Sequence, residues 1–115
     1  MQETICALST PSGMGAIAMV RISGKEAWSI ARKCFKNQGR EIRARVSYFE
    51  NFYDGDEILD QILITYFQNP QSFTGEDMVE ISCHGSLYIQ KRIVEILIGK
   101  VVAMQRRESL LCGLS

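Results

Sequence analysis

The chain has no net charge: among its 115 residues, 13 lysines and arginines meet 13 aspartates and glutamates. A balanced surface offers no electrostatic footprint for non-specific binding to a nucleic-acid backbone, so RNA would have to be held by another surface. Histidine occurs once, at His84, and without a second histidine no metal centre is expected. The four cysteines, Cys6, Cys34, Cys83 and Cys112, lack CxxC pairing, which argues against a zinc site and a compact disulfide framework and leaves reduced thiols as the expectation. No run approaches membrane-spanning length, and the start, M-Q-E-T-I-C-A-L-S-T-P-S-G, has no basic segment leading into a long apolar one. A cytoplasmic protein with no membrane partner is expected. A phosphate-binding loop is also missing: Gly13 and Gly15 of S-G-M-G-A-I lead into a strand-like run, and no Lys-Ser follows.

What is present is enough for one domain with a single small core, near the size at which burial is marginal and a second copy would help. T-I-C-A-L and A-I-A-M-V-R-I-S are apolar, β-branched runs separated by the turn-rich S-T-P-S-G-M-G. Ser23 with Glu26 three residues on has the form of a capping box, and Ala27, Trp28, Ala31, Cys34 and Phe35 follow at helical spacing. The aromatic V-S-Y-F-E-N-F-Y, the turn signal D-G-D-E and I-L-D-Q-I-L-I-T-Y-F predict an antiparallel hairpin. After a loop, E-D-M-V-E-I-S-C-H alternates like a strand. S-L-Y-I-Q-K-R-I-V-E-I-L-I then sets Leu87, Ile89 or Tyr88, Ile93, Ile96 and Leu97 on one helical face. The order β-β-α-β-β-β-α predicts an α+β domain: a mixed sheet with helices packed mainly on one face.

Chemical groups concentrate in S-F-T-G-E-D-M-V-E-I-S-C-H-G, from Ser72 to Gly85. Strand alternation divides them: Met78, Glu80, Ser82 and His84 fall on one face, opposite Val79, Ile81 and Cys83. In the earlier run, Ile17, Met19 and Arg21 oppose Ala18, Val20 and Ile22. Arg21 and Glu80 are thus charges in otherwise apolar registers. Such a residue lies on a solvated face, pairs internally, or meets a ligand, and spacing leaves all three open. Glu76 and Asp77 sit at a loop-to-strand junction where exposure is the default. A hydrolase using Glu76, Asp77 and His84 would need a cleft that the sequence does not advertise.

Three stretches carry a more specific signal: T-I-C-A-L-S-T-P-S-G-M-G-A-I-A-M-V-R-I-S-G, N-P-Q-S-F-T-G-E-D and F-T-G-E-D-M-V-E-I-S-C-H-G. From Thr4 to about Ile98 the chain resembles, in order and spacing, the N-terminal domain of the MnmE (TrmE) family of tRNA-modification GTPases. That resemblance implies, for residues 1–99, a tetrahydrofolate-binding and homodimerising domain. Its cofactor would be a one-carbon-loaded tetrahydrofolate, used with the flavoprotein MnmG on the wobble uridine of tRNA. Arg21 and Glu80 fall on the family's folate-contacting arginine and glutamate. GTP, magnesium and potassium belong to the family's GTP-binding domain, whose P-loop and switch motifs have no counterpart here, nor has its C-terminal cysteine motif. The chain alone is therefore not expected to be catalytic. The alternative is a dimerisation scaffold in which Arg21 and Glu80 form a structural ion pair.

Residues 100–115, K-V-V-A-M-Q-R-R-E-S-L-L-C-G-L-S, depart from the family pattern. Synonymous codons for Arg106 to Ser115, read two bases later, spell P-G-E-F-T-L-R-A-F, the kind of continuation the family has. A frame shift in the coding DNA near 98–100 is the expectation, which sequencing the DNA tests. In that case K-V-V-A-M would make an edge strand at best, and the rest an adventitious helix or a disordered end.

Overall fold

The computed structural model describes residues 5–8, 17–36, 41–69 and 76–113, with backbone alone at 5, 7, 8 and 108–113. The loops expected at 9–16 and 70–75, with Gly13, Gly15 and Gly75, and the Cys112 side chain lie outside the described residues. In chain order the elements are β1 (Ile5–Leu8), β2 (Ile17–Ser23), α1 (Ala27–Arg32), β3 (Ser47–Asp54), β4 (Glu57–Phe67), β5 (Met78–His84) and α2 (Leu87–Gly113). This is the α+β order the sequence implies.

The strands form one five-stranded sheet in the order β1-β2-β5-β4-β3. Every pairing is antiparallel, which corrects the expectation of a mixed sheet. Connection length gives the reason. Neighbouring parallel strands need a crossover of about a dozen or more residues, and neither 9–16 nor 68–77 is long enough. The one long connection, 24–46, carries the chain across to the far edge, where β3 has only β4 beside it.

Alternation then decides the core. Ala18, Val20 and Ile22 of β2, Val79, Ile81 and Cys83 of β5, Ile62, Ile64 and Tyr66 of β4, and Phe52 of β3 are all buried in one cluster. Ile30 and Ala31 of α1, and Ile93 and Leu97 of α2, close over it. Each large apolar side chain so buried contributes about 1.5–3 kcal/mol. Edge-to-face aromatic pairs add definition: Phe35 on Phe52 at 5.9 Å and Trp28 on Tyr66 at 5.3 Å. The Trp28 indole also donates to the Phe67 carbonyl at 3.0 Å, fastening α1 to the end of β4.

The first helix is shorter than its spacing suggests, and its cap differs. Ser23 is the last residue of β2, paired with Met78 across to β5, so it is not free to cap. The N-cap is Glu26, with no side-chain cap hydrogen bond. Gly24, at φ 139°, makes the turn out of the strand and donates its N–H to the Asp77 carbonyl at 2.9 Å. Ala27, Ala31, Cys34 and Phe35 are buried as the spacing requires.

The second helix is longer than expected. Val101 and Met104 continue the stripe begun by Ile93 and Leu97 and pack on the core, so helical burial outweighs the β-branched preference that suggested an edge strand at 100–104. Leu87 and Tyr88, by contrast, are exposed, and Gln90 takes the buried place at that turn. Near the hairpin, Arg92 grips Asp54 in a bidentate pair, Nε to Oδ2 at 2.7 Å and a terminal nitrogen to Oδ1 at 2.8 Å. The Arg92 hydrogen bonds hold the Asp54 carboxyl below its ordinary range. A depressed folded pKa adds stability at neutral pH that disappears as pH falls through it. Melting wild type and Arg92→Ala side by side should therefore show wild type ahead at pH 7 and the gap closing in acid, below the ordinary carboxylate range.

The β3–β4 turn has Gly55 at φ 65° as the first of two central residues, between the paired Asp54 and Glu57. A Cβ there would meet nothing within 4 Å. Gly55→Ala should thus cost about 1–2 kcal/mol through backbone strain alone, seen as a lowered urea midpoint with an unchanged slope.

Candidate functional site

The sheet face away from the helices carries the residues whose phase was in question. Arg21 of β2 lies directly opposite Glu80 of β5, which in turn lies opposite Thr65 of β4. The row continues to Ser47 on β3, whose hydroxyl shares a 2.7 Å hydrogen bond with that of Thr65. The adjoining row is Met19, Ser82, Leu63 and Phe49. The two strand faces read from the alternation are therefore the two faces of the folded sheet.

Arg21 Nε approaches Glu80 Oε1 to 3.5 Å, longer than a good N–H···O hydrogen bond. The side chains differ in exposure, 41% for Arg21 and 13% for Glu80. Glu80 Oε1 is buried and makes no hydrogen bond among the described residues. A carboxylate oxygen removed from water in this way is costly unless a donor reaches it. Of the three readings left open, the geometry bears on one: the residues face each other as a pair across β2 and β5.

Further along the strands, from the adjoining row to His84, is an open depression of about 340 Å³, lined in part by Ile17, Phe49, Leu63, Gln61, Ser82 and His84 and not by Arg21 or Glu80. Ile17 and Phe49 are both about two-thirds exposed, and with Leu63 they make its surface largely apolar. Polar groups stand at its margins.

Asp77 does not join this site. Asp77 is at the opposite end of β5 from His84. The seven residues of that strand span roughly 23 Å at about 3.3 Å each. Asp77 Oδ1 accepts the Asn69 N–H at 2.8 Å and its carbonyl accepts Gly24, which is a structural task. The grouping of Glu76, Asp77 and His84 as a hydrolase centre is thereby broken. Cys83 turns inward, and burial pushes its thiol up to about 11. Cys34 and Cys6 are raised likewise, to about 12 and about 11. None is a thiolate at neutral pH, so none is an activated nucleophile.

One residue escaped the sequence reading. Asp60, with its side chain 7% exposed, accepts the His84 backbone N–H at 2.9 Å and lies 2.6 Å from His84 Nδ1. Its signal was available: Asp60 shares the strand phase of Ile62, Ile64 and Tyr66, an acid in an apolar register.

No described helix is long and apolar enough to cross a membrane. The family model for the GTP-binding protein TrmE N-terminus matches residues 4–108. Relatives include the tRNA modification GTPase MnmE of Flavobacterium johnsoniae, 45% identical over 103 residues, and that of Flavobacterium psychrophilum, 46% identical over 102. The MnmE of Fervidobacterium nodosum is 42% identical over 101 residues. These matches cover 84–86% of this chain but 22% of each relative, so the chain spans about a fifth of their length. The family model and these relatives lead to one conclusion: the chain belongs to the family of the TrmE N-terminus, the N-terminal domain of the tRNA-modification GTPases called MnmE.

Proposed function

We propose that this domain binds a reduced, one-carbon-loaded tetrahydrofolate on the helix-free face of its sheet and associates with a second copy of itself. The observation that carries the reading is Glu80: a largely buried carboxylate with an oxygen lacking a hydrogen bond among the described residues, one strand row from Ser82 and Leu63 of the apolar depression. A pterin ring presents a ring N–H and an exocyclic amino group side by side, a donor pair that a carboxylate accepts through both oxygens. Arg21, across the strand pair, orients that carboxylate or receives a ligand acceptor. In the complete protein this site would feed carbon to the modification of wobble uridine in tRNA, together with the flavoprotein MnmG. GTP, magnesium and potassium would act in a separate domain.

A second reading has its own support, the 3.5 Å approach of Arg21 to Glu80. In it the two residues are a structural pair on a scaffold whose work is dimerisation. Calorimetric titration of 5-formyltetrahydrofolate into the chain separates the two. Saturable binding supports the folate site, and its absence from a folded, dimeric sample leaves the scaffold. Sedimentation of the same sample reports the association state.

A further inference from the structure

His84 is the last residue of β5, in the strand phase of Glu80 and Ser82, and it lines the depression. Its side chain is 70% exposed, whereas the Asp60 carboxylate that holds it is 7% exposed. One Asp60 oxygen takes the His84 backbone N–H, and the other meets Nδ1 at 2.6 Å. Both carboxylate oxygens are thus committed to one residue, and both ends of that residue are fixed. A carboxylate on Nδ1 selects the tautomer that carries its proton there, which leaves Nε2 as an acceptor. An exposed histidine that merely ended a strand would need no such support. Burying a carboxylate is costly; its two contacts with His84 offset that cost and at the same time define one imidazole orientation at the edge of the depression.

Glu80 and His84 are four residues apart on one strand, which sets their Cα atoms about 13 Å apart. Leu63, Phe49 and Ser82 lie in the row between. A fused bicyclic head joined through a methylene-amine to a benzoyl ring has the length and flatness to run from one to the other. Resting on the folate reading above, we propose that His84 is a second ligand contact: its Nε2, positioned by Asp60, accepts the amide N–H that follows the benzoyl ring. Glu80 then selects the head of the ligand, and the Asp60–His84 pair selects its tail.

The test compares two probes, 5-formyltetrahydrofolate and tetrahydropterin, which keeps the head and lacks the tail. Losing one neutral hydrogen bond should weaken His84→Ala for the folate by about five- to tenfold, with tetrahydropterin affinity unchanged. His84→Gln, whose amide oxygen can take the place of Nε2, should recover part of the loss. Asp60→Asn should weaken folate in the same selective way. Because that carboxylate is buried, circular dichroism of Asp60→Asn is read alongside, and the exposed His84→Ala carries the test if Asp60→Asn does not fold. Equal affinity of wild type and His84→Ala for the folate, with Glu80→Ala defective, overturns the tail contact and leaves the folate site standing. Parallel losses for both probes in His84→Ala overturn it as well, since the residue would then be structural. If wild type binds neither probe, both ideas fall.

Discussion

Glu80→Ala should reduce the affinity for 5-formyltetrahydrofolate by at least about 100-fold while leaving the domain folded. The magnitude follows from the bonds removed: two hydrogen bonds to a charged acceptor, each about 1.5–3 kcal/mol, against about 1.4 kcal/mol per tenfold in affinity. The fold is spared because the partner left behind, Arg21, is 41% exposed and can turn its guanidinium to water. The pair itself, at 3.5 Å and open on one side, contributes no more than about 1 kcal/mol to stability. Glu80→Gln should fall between, since an amide keeps one acceptor but sets an NH2 against the ligand's donors. Arg21→Ala has a different expected signature. It leaves the less exposed carboxylate without its cation, so it should lower stability more than Glu80→Ala does and affinity less. Isothermal titration and urea unfolding on the three variants give the two scales separately. Wild type and Glu80→Ala titrating alike would sink the site.

The largest effect on stability is expected from Phe52→Ala. Phe52 is completely buried and meets Phe35 edge to face. It therefore joins the edge strand β3 to the segment that follows α1. Truncating a buried phenylalanine costs about 3–5 kcal/mol through lost burial and the cavity left. A chain of this size has roughly 5–15 kcal/mol in all. For a domain of about 100 residues each kcal/mol moves the melting temperature by about 4–8 °C, so a fall of roughly 15 °C or more is expected. The control lies on the same strand: Phe49 points to the other face and is 66% exposed. Phe49→Ala should change stability by about 0.5 kcal/mol or less and show itself in ligand affinity or self-association. Similar melting losses for both would mean that the two faces are not divided as described.

Strand phase was the most legible property of this sequence, because it depends only on neighbours two positions away. The alternation around Arg21 and Glu80 separated out Ala18, Val20 and Ile22, and Val79, Ile81 and Cys83, as the residues of the core, and the hairpin about Gly55 was announced by its own turn residues. Strand direction was not legible. Whether β2 lies beside β3 or β5 depends on pairings between distant segments, and only the connection lengths hint at it. Ser23 was misread because two local rules compete for it: capping chemistry suits it, but pairing to both β1 and β5 claims its backbone first. Residues 100–104 went the other way, since the periodic burial of Val101 and Met104 is visible only once the stripe from Ile93 is extended through Lys100. Asp60 was as legible as any charge in the chain, an acid in the phase of Ile62, Ile64 and Tyr66, but its partner His84 lies on a distant strand and has no local signature. The Asp54–Arg92 grip has no local signature, because it joins a hairpin tip to a helix that follows another strand.

The strand order β1-β2-β5-β4-β3 also bears on when the site comes into being. Arg21 and Glu80 meet only across the β2–β5 seam, while the helix α1 and the whole β3–β4 hairpin intervene in the chain. The hairpin can close early, since its ends are adjacent, but the seam must first close a long loop and is slow to form for that reason. No early folding species with only local structure can bring the glutamate and arginine together. The Arg21–Glu80 pair therefore exists only once that long-range seam has closed, and any molecule that bridged the two strands there would slow its reopening.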